Sequence, residues 1–266
     1  MKIYDCFMYY DEDLIIDLRF NILNKYITEF IIVESKFTHS GEKRELLFDI
    51  NKYSMFKKKI NYIVLENEPE NLETINDKDT PDKKNSKYIM NALKRENFQR
   101  NAITKGLKEV NPDDLILISD VDEIPDLSNL NLESVNDEII LFKQNFYYYK
   151  FNLKLEDLPW LGTKACKYKI LKSPQWLRNV KDKKYPFWRL DVLFSNKKYS
   201  NIKFIENGGW HFSNMKSPAD IEKKMKTYLH HREYDINPLG EEKIKQIIKS
   251  KKSIYNLRAD MKSEKF

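Results

Sequence analysis

Asp120, Asp122 and Glu123 place three carboxylates within four positions, and residues 115–118 before them, LILI, are uniformly apolar. Like charges crowded this closely cost free energy unless a cation or a set of donors offsets them. A divalent ion holding a diphosphate is the economical explanation. Mn²⁺ and Mg²⁺ both take carboxylate oxygens and share their other positions with phosphate and water. The alternative is a solvated turn after a strand, with Pro125 ending the element. A second feature lies at 207–213, NGGWHFS. His211 sits there between two aromatics after a Gly pair, and Gly permits close backbone approach to a ligand. It reads as a ligand or substrate contact, or as a satisfied core histidine.

The elements that must position these groups follow from hydrophobic period. The run at 115–118 suits a strand covered on both faces, and in parallel sheets ligands bind beyond the carboxyl ends of such strands. Residues 2–8 read as a first strand and 29–34, ending in Glu34, as a second. Between them 11–23 carries Leu14, Ile15, Leu18, Ile22 and Leu23 at helical spacing, with Asp11 or Asp13 able to cap its start. A β-α-β opening implies a parallel pair and a right-handed crossover. Residues 35–45 form a polar turn carrying His39 and Arg44. The spacing predicts a short helix over 45–56 and a third strand over 60–65. Residues 66–87 read as a surface loop, and 87–110 as one long helix. On that helix Glu96 and Arg100 share a face, as a surface ion pair or with Arg100 near a diphosphate. Residues 138–152 form an aromatic strand or hairpin whose tyrosines serve as a sugar platform or as a packed sheet edge. A helix over 218–231 starts after the N-cap Ser217. A last amphipathic helix over 241–252 turns Ile244, Ile247 and Ile248 inward. We expect a catalytic domain over 1–215 and a helical extension over 216–266.

The 266 residues, 41% of them hydrophobic, can bury a sizeable core in one α/β domain. The net charge of +6 includes basic residues of the last third, such as Lys223, Lys224 and Lys226. They read as solvated helix faces whose field also draws in an anionic nucleotide. No helix-turn-helix or RNA-binding signature is present, so no nucleic-acid partner is expected. Two cysteines, Cys6 and Cys166, make no disulfide framework. With no signal peptide and no apolar stretch of roughly 18 residues, we expect a soluble, cytoplasmic protein without a membrane span.

Several stretches together resemble glycosyltransferase family 17. They are YDCF at 4–7, ESKFTHSG at 34–41, Arg95-Glu96 through Arg100, ISDVDEIP at 118–125 and GWHFS at 209–213. The resemblance implies a Rossmann-like α/β fold of GT-A type: a single domain with a mostly parallel central sheet flanked by helices, and C-terminal helices. It implies a nucleotide-sugar donor, UDP-GlcNAc in the family's best-known members, a glycan acceptor, and inversion at the anomeric carbon. Asp120 and Asp122 fall on the family's Asp-x-Asp motif, with Glu123 beside them and His211 joining the metal shell. Asp120 could instead hold the ribose. Arg44 and Arg100 would add charge at the diphosphate, Glu34 would contact the nucleoside, and His39 and Glu96 would line the same site. The general base is expected among Glu123, Asp191 and Glu206. Trp160, Trp188 and Trp210 are candidates for stacking on sugar, with Arg189 as a further substrate contact. Two rivals compete on the residues alone: a sugar-binding module without catalysis, and a metal-dependent phosphotransferase or nuclease.

Overall fold

The computed structural model describes residues 1–254, apart from 157, 229–233 and 236. Among the described residues, nine strands form one sheet: β1 (Ile3–Met8), β2 (Glu29–Ser35), β3 (Ile60–Leu65), β4 (Leu115–Asp120), β5 (Glu123–Pro125), β6 (Ile139–Tyr148), β7 (Trp160–Lys167), β8 (Ile202–Ile205) and β9 (Gly209–Ser213). Their order is β3-β2-β1-β4-β7-β6-β9-β5, with β8 also pairing β6. The first four strands of that order are parallel. β7 runs antiparallel between β4 and β6. β8 and β9 lie parallel to successive halves of β6, and β5 is antiparallel to β9. This is the mostly parallel α/β sheet that the sequence implied, flanked by α1 (Asp13–Leu23), α2 (Pro81–Asn101), α3 (Pro174–Asn179), α4 (Leu190–Leu193), α5 (Pro218–Thr227) and α6 (Glu241–Lys249).

Strand alternation sorts the core into layers. Ile3 and Phe7 of β1 and Phe30 and Ile32 of β2 meet Ile15, Ile16, Phe20 and Leu23 of α1. Tyr4, Cys6, Ile31 and Val33 point the other way, onto Ile103 and Leu107 after α2 and Leu177 of α3. Each such side chain, fully buried, contributes about 1.5–3 kcal/mol. Cys6 and Cys166 are both free and buried in the second layer. Burial pushes both thiols up, Cys166 to about 12. A third cluster joins Phe146, Tyr148 and Tyr149 to Ile221 and Met225 of α5 and Ile244 of α6. Tyr148 and Tyr149 are therefore packed against the C-terminal helices and do not form an open sugar platform.

Several boundaries differ from the sequence expectation, each for a local reason. Over 45–56 the expected short helix is reduced to one 3₁₀ turn, Ile50–Tyr53. The Glu34 carboxylate takes the backbone N–H of Leu47 at 2.8 Å and of Phe48 at 3.1 Å, which commits this chain to a loop with short 3₁₀ turns. α1 begins at Asp13 with Glu12 at the N-cap position and no side-chain cap, because Asp13 is engaged by Tyr9 and Lys52. α2 starts six residues earlier than expected: Thr80 caps it and Pro81 pre-sets its first turn. It ends at Asn101, where a 3₁₀ turn carries Ile103 down onto the sheet. The loop at 66–80 is laced to α2, with Asn91 donating to Glu73 O and accepting from Glu73 N, both at 2.8 Å. α5 starts after Ser217 as expected and extends to Thr227. The expected helical residues 229–231, and 255–266 of the expected extension, lie outside the described residues. In α6 only Ile244 is fully buried. No helix among the described residues is long and apolar enough to cross a membrane.

Candidate active site

The acidic turn after β4 is held from below by a buried ion pair. Asp5, the inward residue between Ile3 and Phe7, receives Arg19 Nε at 2.7 Å, and both side chains are fully enclosed. The same guanidinium donates through Nη1 to the carbonyls of Asp120 at 3.2 Å, Val121 at 3.1 Å and Glu123 at 2.9 Å. One arginine thus serves three backbone acceptors of a tight turn, of which the Glu123 carbonyl also accepts from Thr163 Oγ1 at 3.0 Å.

The three carboxylates have three different surroundings. Glu123 has no exposed surface. It accepts from Trp160 Nε1 (2.7 Å), Arg178 Nη1 (2.7 Å) and Nη2 (3.2 Å), and the backbone N of Asp120 (2.8 Å). Four bonds fill the lone pairs of an ionised carboxylate, so Glu123 has no oxygen left for an acceptor hydroxyl. Asp120 lies between two guanidinium groups, Arg100 Nη2 at 3.0 Å and Arg178 Nη2 at 2.9 Å. Burial pushes its carboxyl up, but Arg178 and Arg100 outweigh that and hold it well below the usual range. Asp122 faces His211, with Nε2 at 3.6 Å from Oδ1. Burial opposes its charge, and His211 and Lys224 restore it, leaving its pKa lowered.

His211 is fixed by packing. Its ring stacks on Trp160 at 4.7 Å and meets Phe146 at 4.5 Å. Trp160 therefore orients both His211 and Glu123 and is not an open stacking surface. The Gly pair has a different purpose from the one the sequence suggested. Gly209 adopts φ 122°, and a Cβ there would strike Ile124 O and come within 2.6 Å of Asp126 N. Its role is to let β5 close against β9, which sets Glu123 opposite His211.

In front of Asp120 and Asp122 lies a cavity of about 310 Å³ beyond the carboxyl ends of β1, β2 and β4. His39, Arg44, Glu96, Arg100, Asp120 and Asp122 of the predicted set line it. Arg44 stacks on Tyr10, 4.2 Å from the ring centroid, and pairs with Glu34 at 2.9 Å. Glu34 stands behind it, enclosed and saturated by Arg44, Tyr62 and two backbone N–H groups. It latches the loop and does not reach the cavity. His39 bonds Gln99 at 3.2 Å, and burial lowers its pKa. Trp210 points to the opposite face of β9 and packs on the first core layer. Asp191, Arg189 and Glu206 lie away from the cavity on exposed segments, as does Trp188. Asp191 is pulled to about 2 by hydrogen bonds from Arg189 and Lys198, which makes it a poor base. Glu206 pairs with Lys143 at 2.6 Å.

Four participants were not assigned from sequence. Arg19 and Arg178 hold the acidic turn, while Glu12 and Lys224 line the cavity. The ammonium of Lys224, from α5, makes no hydrogen bond or ion pair among the described residues. Burial disfavours its charge, but Asp122, Glu12 and Asp11 more than compensate and keep it protonated. Two further cavities adjoin the first. One of about 450 Å³ shares Glu12, Asp122 and Lys224 with it. One of about 430 Å³ shares Glu96 and Arg100.

The fit of a divalent ion is partial. Asp120 has both oxygens committed to arginine, and among the described residues no three acidic, His or Cys side chains are grouped as a ready cage. Asp122 and His211 do fit. Two ligands at about 2.1 Å from one ion stand roughly 3–3.6 Å apart, which matches the 3.6 Å between Asp122 Oδ1 and His211 Nε2, although the other ring nitrogen, Nδ1, lacks the partner that usually orients a ligating histidine. The arrangement can accept an anion at Lys224 and Arg100 and offer two ligands to a cation beside it. The family model of glycosyltransferase family 17 matches residues 1–265. No curated protein matches the chain.

Proposed function

The chain belongs to glycosyltransferase family 17, and from that premise we propose that it moves GlcNAc from UDP-GlcNAc to a glycan hydroxyl by a single, inverting displacement. It is a glycosyltransferase, and the family implies a nucleotide-sugar donor and a glycan acceptor. That sets aside the non-catalytic sugar binder and the nuclease. The observation that carries the finer reading is the convergence of Arg44, Arg100 and Lys224 with Asp122 on one cavity that Tyr10 and Phe37 also line, with His211 3.6 Å from Asp122. Tyr10 and Phe37 suit a nucleoside, and Arg100 and Lys224 suit its diphosphate. Mn²⁺ or Mg²⁺, held by Asp122 and His211, would neutralise charge on the departing diphosphate. Lys224 and Arg100 stabilise the same developing charge from the protein side.

The acceptor hydroxyl must lose a proton to a base within hydrogen-bond reach. Besides Asp122, two carboxylates of the cavity wall keep an oxygen with no hydrogen bond among the described residues. Glu12 accepts Tyr10 N and Asp11 N through Oε2 only, and Glu96 meets Arg100 through Oε1 only. Each opens onto one of the adjoining cavities, so the base also identifies the side from which the acceptor enters. Replacing the right one in Glu12→Gln or Glu96→Gln is expected to lower kcat by about 10²–10⁴-fold with donor affinity unchanged. Loss of less than tenfold in both variants would remove both from the role.

The donor assignment is tested by melting curves with UDP, UDP-GlcNAc or GDP-mannose, each with Mn²⁺ or EDTA. A ligand at about a hundred times its Kd adds about 2.7 kcal/mol, roughly 5–10 °C for a chain of this size. UDP and UDP-GlcNAc should give this shift with Mn²⁺ and lose it in EDTA. A shift with GDP-mannose alone would reject the uridine donor, and a full UDP shift in EDTA would reject the ion.

A further inference from the structure

We propose that the strap at residues 181–198 is a docking surface for an anionic lipid bilayer. It links α3 to β8 and carries Phe187, Trp188, Leu190 and Phe194, whose exposures lie between 71% and 88%. Single exposed apolar side chains are ordinary, but four grouped on one short segment are not expected on a protein that faces only water. They are not loose ends of an unsupported chain. Lys181 N donates to Lys197 O at 2.7 Å and Tyr185 N to Tyr199 O at 3.1 Å, which closes the strap at its base. Trp176 Nε1 ties it to α3 through Asn196 O at 2.9 Å. The phenyl and indole of Phe187 and Trp188 meet edge to face at 5.2 Å at the tip.

The charge around this apolar tip selects the partner. The strap carries Lys181, Lys183, Lys184 and Lys197, whose ammonium groups make no ion pair among the described residues, and Arg189 and Lys198, which share Asp191, against the two acids Asp182 and Asp191. Both acids are already engaged, Asp182 by Lys164 at 2.7 Å and Asp191 by Arg189 and Lys198. A protein partner would favour a surface poor in lysine, since lysine is depleted from interfaces. Lysines ringing Phe, Trp and Leu are the pattern that seats in the headgroup layer, where the cations meet anionic phosphates and the rings enter the acyl boundary. The charge complementarity therefore points to a bilayer and not to a second protein. Nothing in this assignment depends on the donor or on the transfer reaction.

The test is flotation of the full chain with vesicles of phosphatidylcholine alone or mixed with phosphatidylglycerol. Binding is expected to the mixed vesicles only and to weaken as salt is raised. The double variant Phe187→Ser, Phe194→Ser should bind about tenfold or more weakly, with an unchanged melting temperature showing that it is folded. Lys183→Glu with Lys184→Glu should remove the preference for the anionic vesicles. Equal binding to both vesicle types, no binding to either, or unaltered binding by the Ser variant would each overturn the proposal. So would a dimer in light scattering that the Ser variant dissolves, because the strap would then serve a second copy of the chain.

Discussion

An Asp122→Ala variant is expected to lose transfer by about 10³-fold or more while melting close to the parent protein. The reason is the difference between Asp122 and its neighbours. Asp120 and Glu123 are bound into the frame by Arg100, Arg178 and Trp160. Asp122 makes no close side-chain bond, with His211 3.6 Å away, and it faces the cavity. Removing it deletes the proposed ligand position and breaks no close hydrogen bond, while Glu12 and Asp11 still offset the charge of Lys224. Removing Asp120 should lower stability as well, because it strands two guanidinium groups. UDP release with UDP-GlcNAc, measured beside a melting curve, separates the two cases. An Asp122→Ala protein that retains transfer within tenfold would show that the reaction does not pass through this carboxylate.

Replacing Arg19 with methionine should cost about 3–5 kcal/mol, because Asp5 is left as an uncompensated buried charge. For a chain of this size that is a fall of roughly 6–20 °C in melting temperature. The double variant Arg19→Met, Asp5→Leu removes both charges and should recover most of the loss, since an apolar pair can replace a buried ion pair. Transfer should not recover with it. The carbonyls of Asp120, Val121 and Glu123 lose their shared donor in both variants, so the turn that presents Asp122 is held by Arg178 alone of its two arginines. Full activity in the double variant would mean that the turn keeps its geometry without Arg19. Melting curves and UDP release again make the measurement.

Much of this was legible in the sequence. The parallel strands were, because buried runs such as LILI at 115–118 allow few other placements. The acids of β4 and the residues of α2 that meet them were also found, since charge at the end of such a run has only one kind of location. The supports were harder to see. Asp5 interrupts an apolar strand, and Arg19 falls four residues from both Ile15 and Leu23 on the inward stripe of α1. Together those two anomalies signalled a buried pair, but each alone resembles an ordinary surface charge. Arg178 and Lys224 carried no local signal, since their roles depend on which distant elements the topology sets beside β4. The proposed bases failed for a related reason. A sequence shows that Glu123 is acidic and near the motif, but not that four donors already surround it.

The two thiols have a practical consequence. Cys6 and Cys166 are enclosed and hard to ionise, so they should not react with alkylating reagents while the fold is intact. Because thiolate is the reactive form, the rate at which they become labelled counts openings of the central sheet. A single cysteine introduced on the strap tip could therefore carry a fluorophore without removing either native one, and the same labelling reaction would report both conjugation and unfolding.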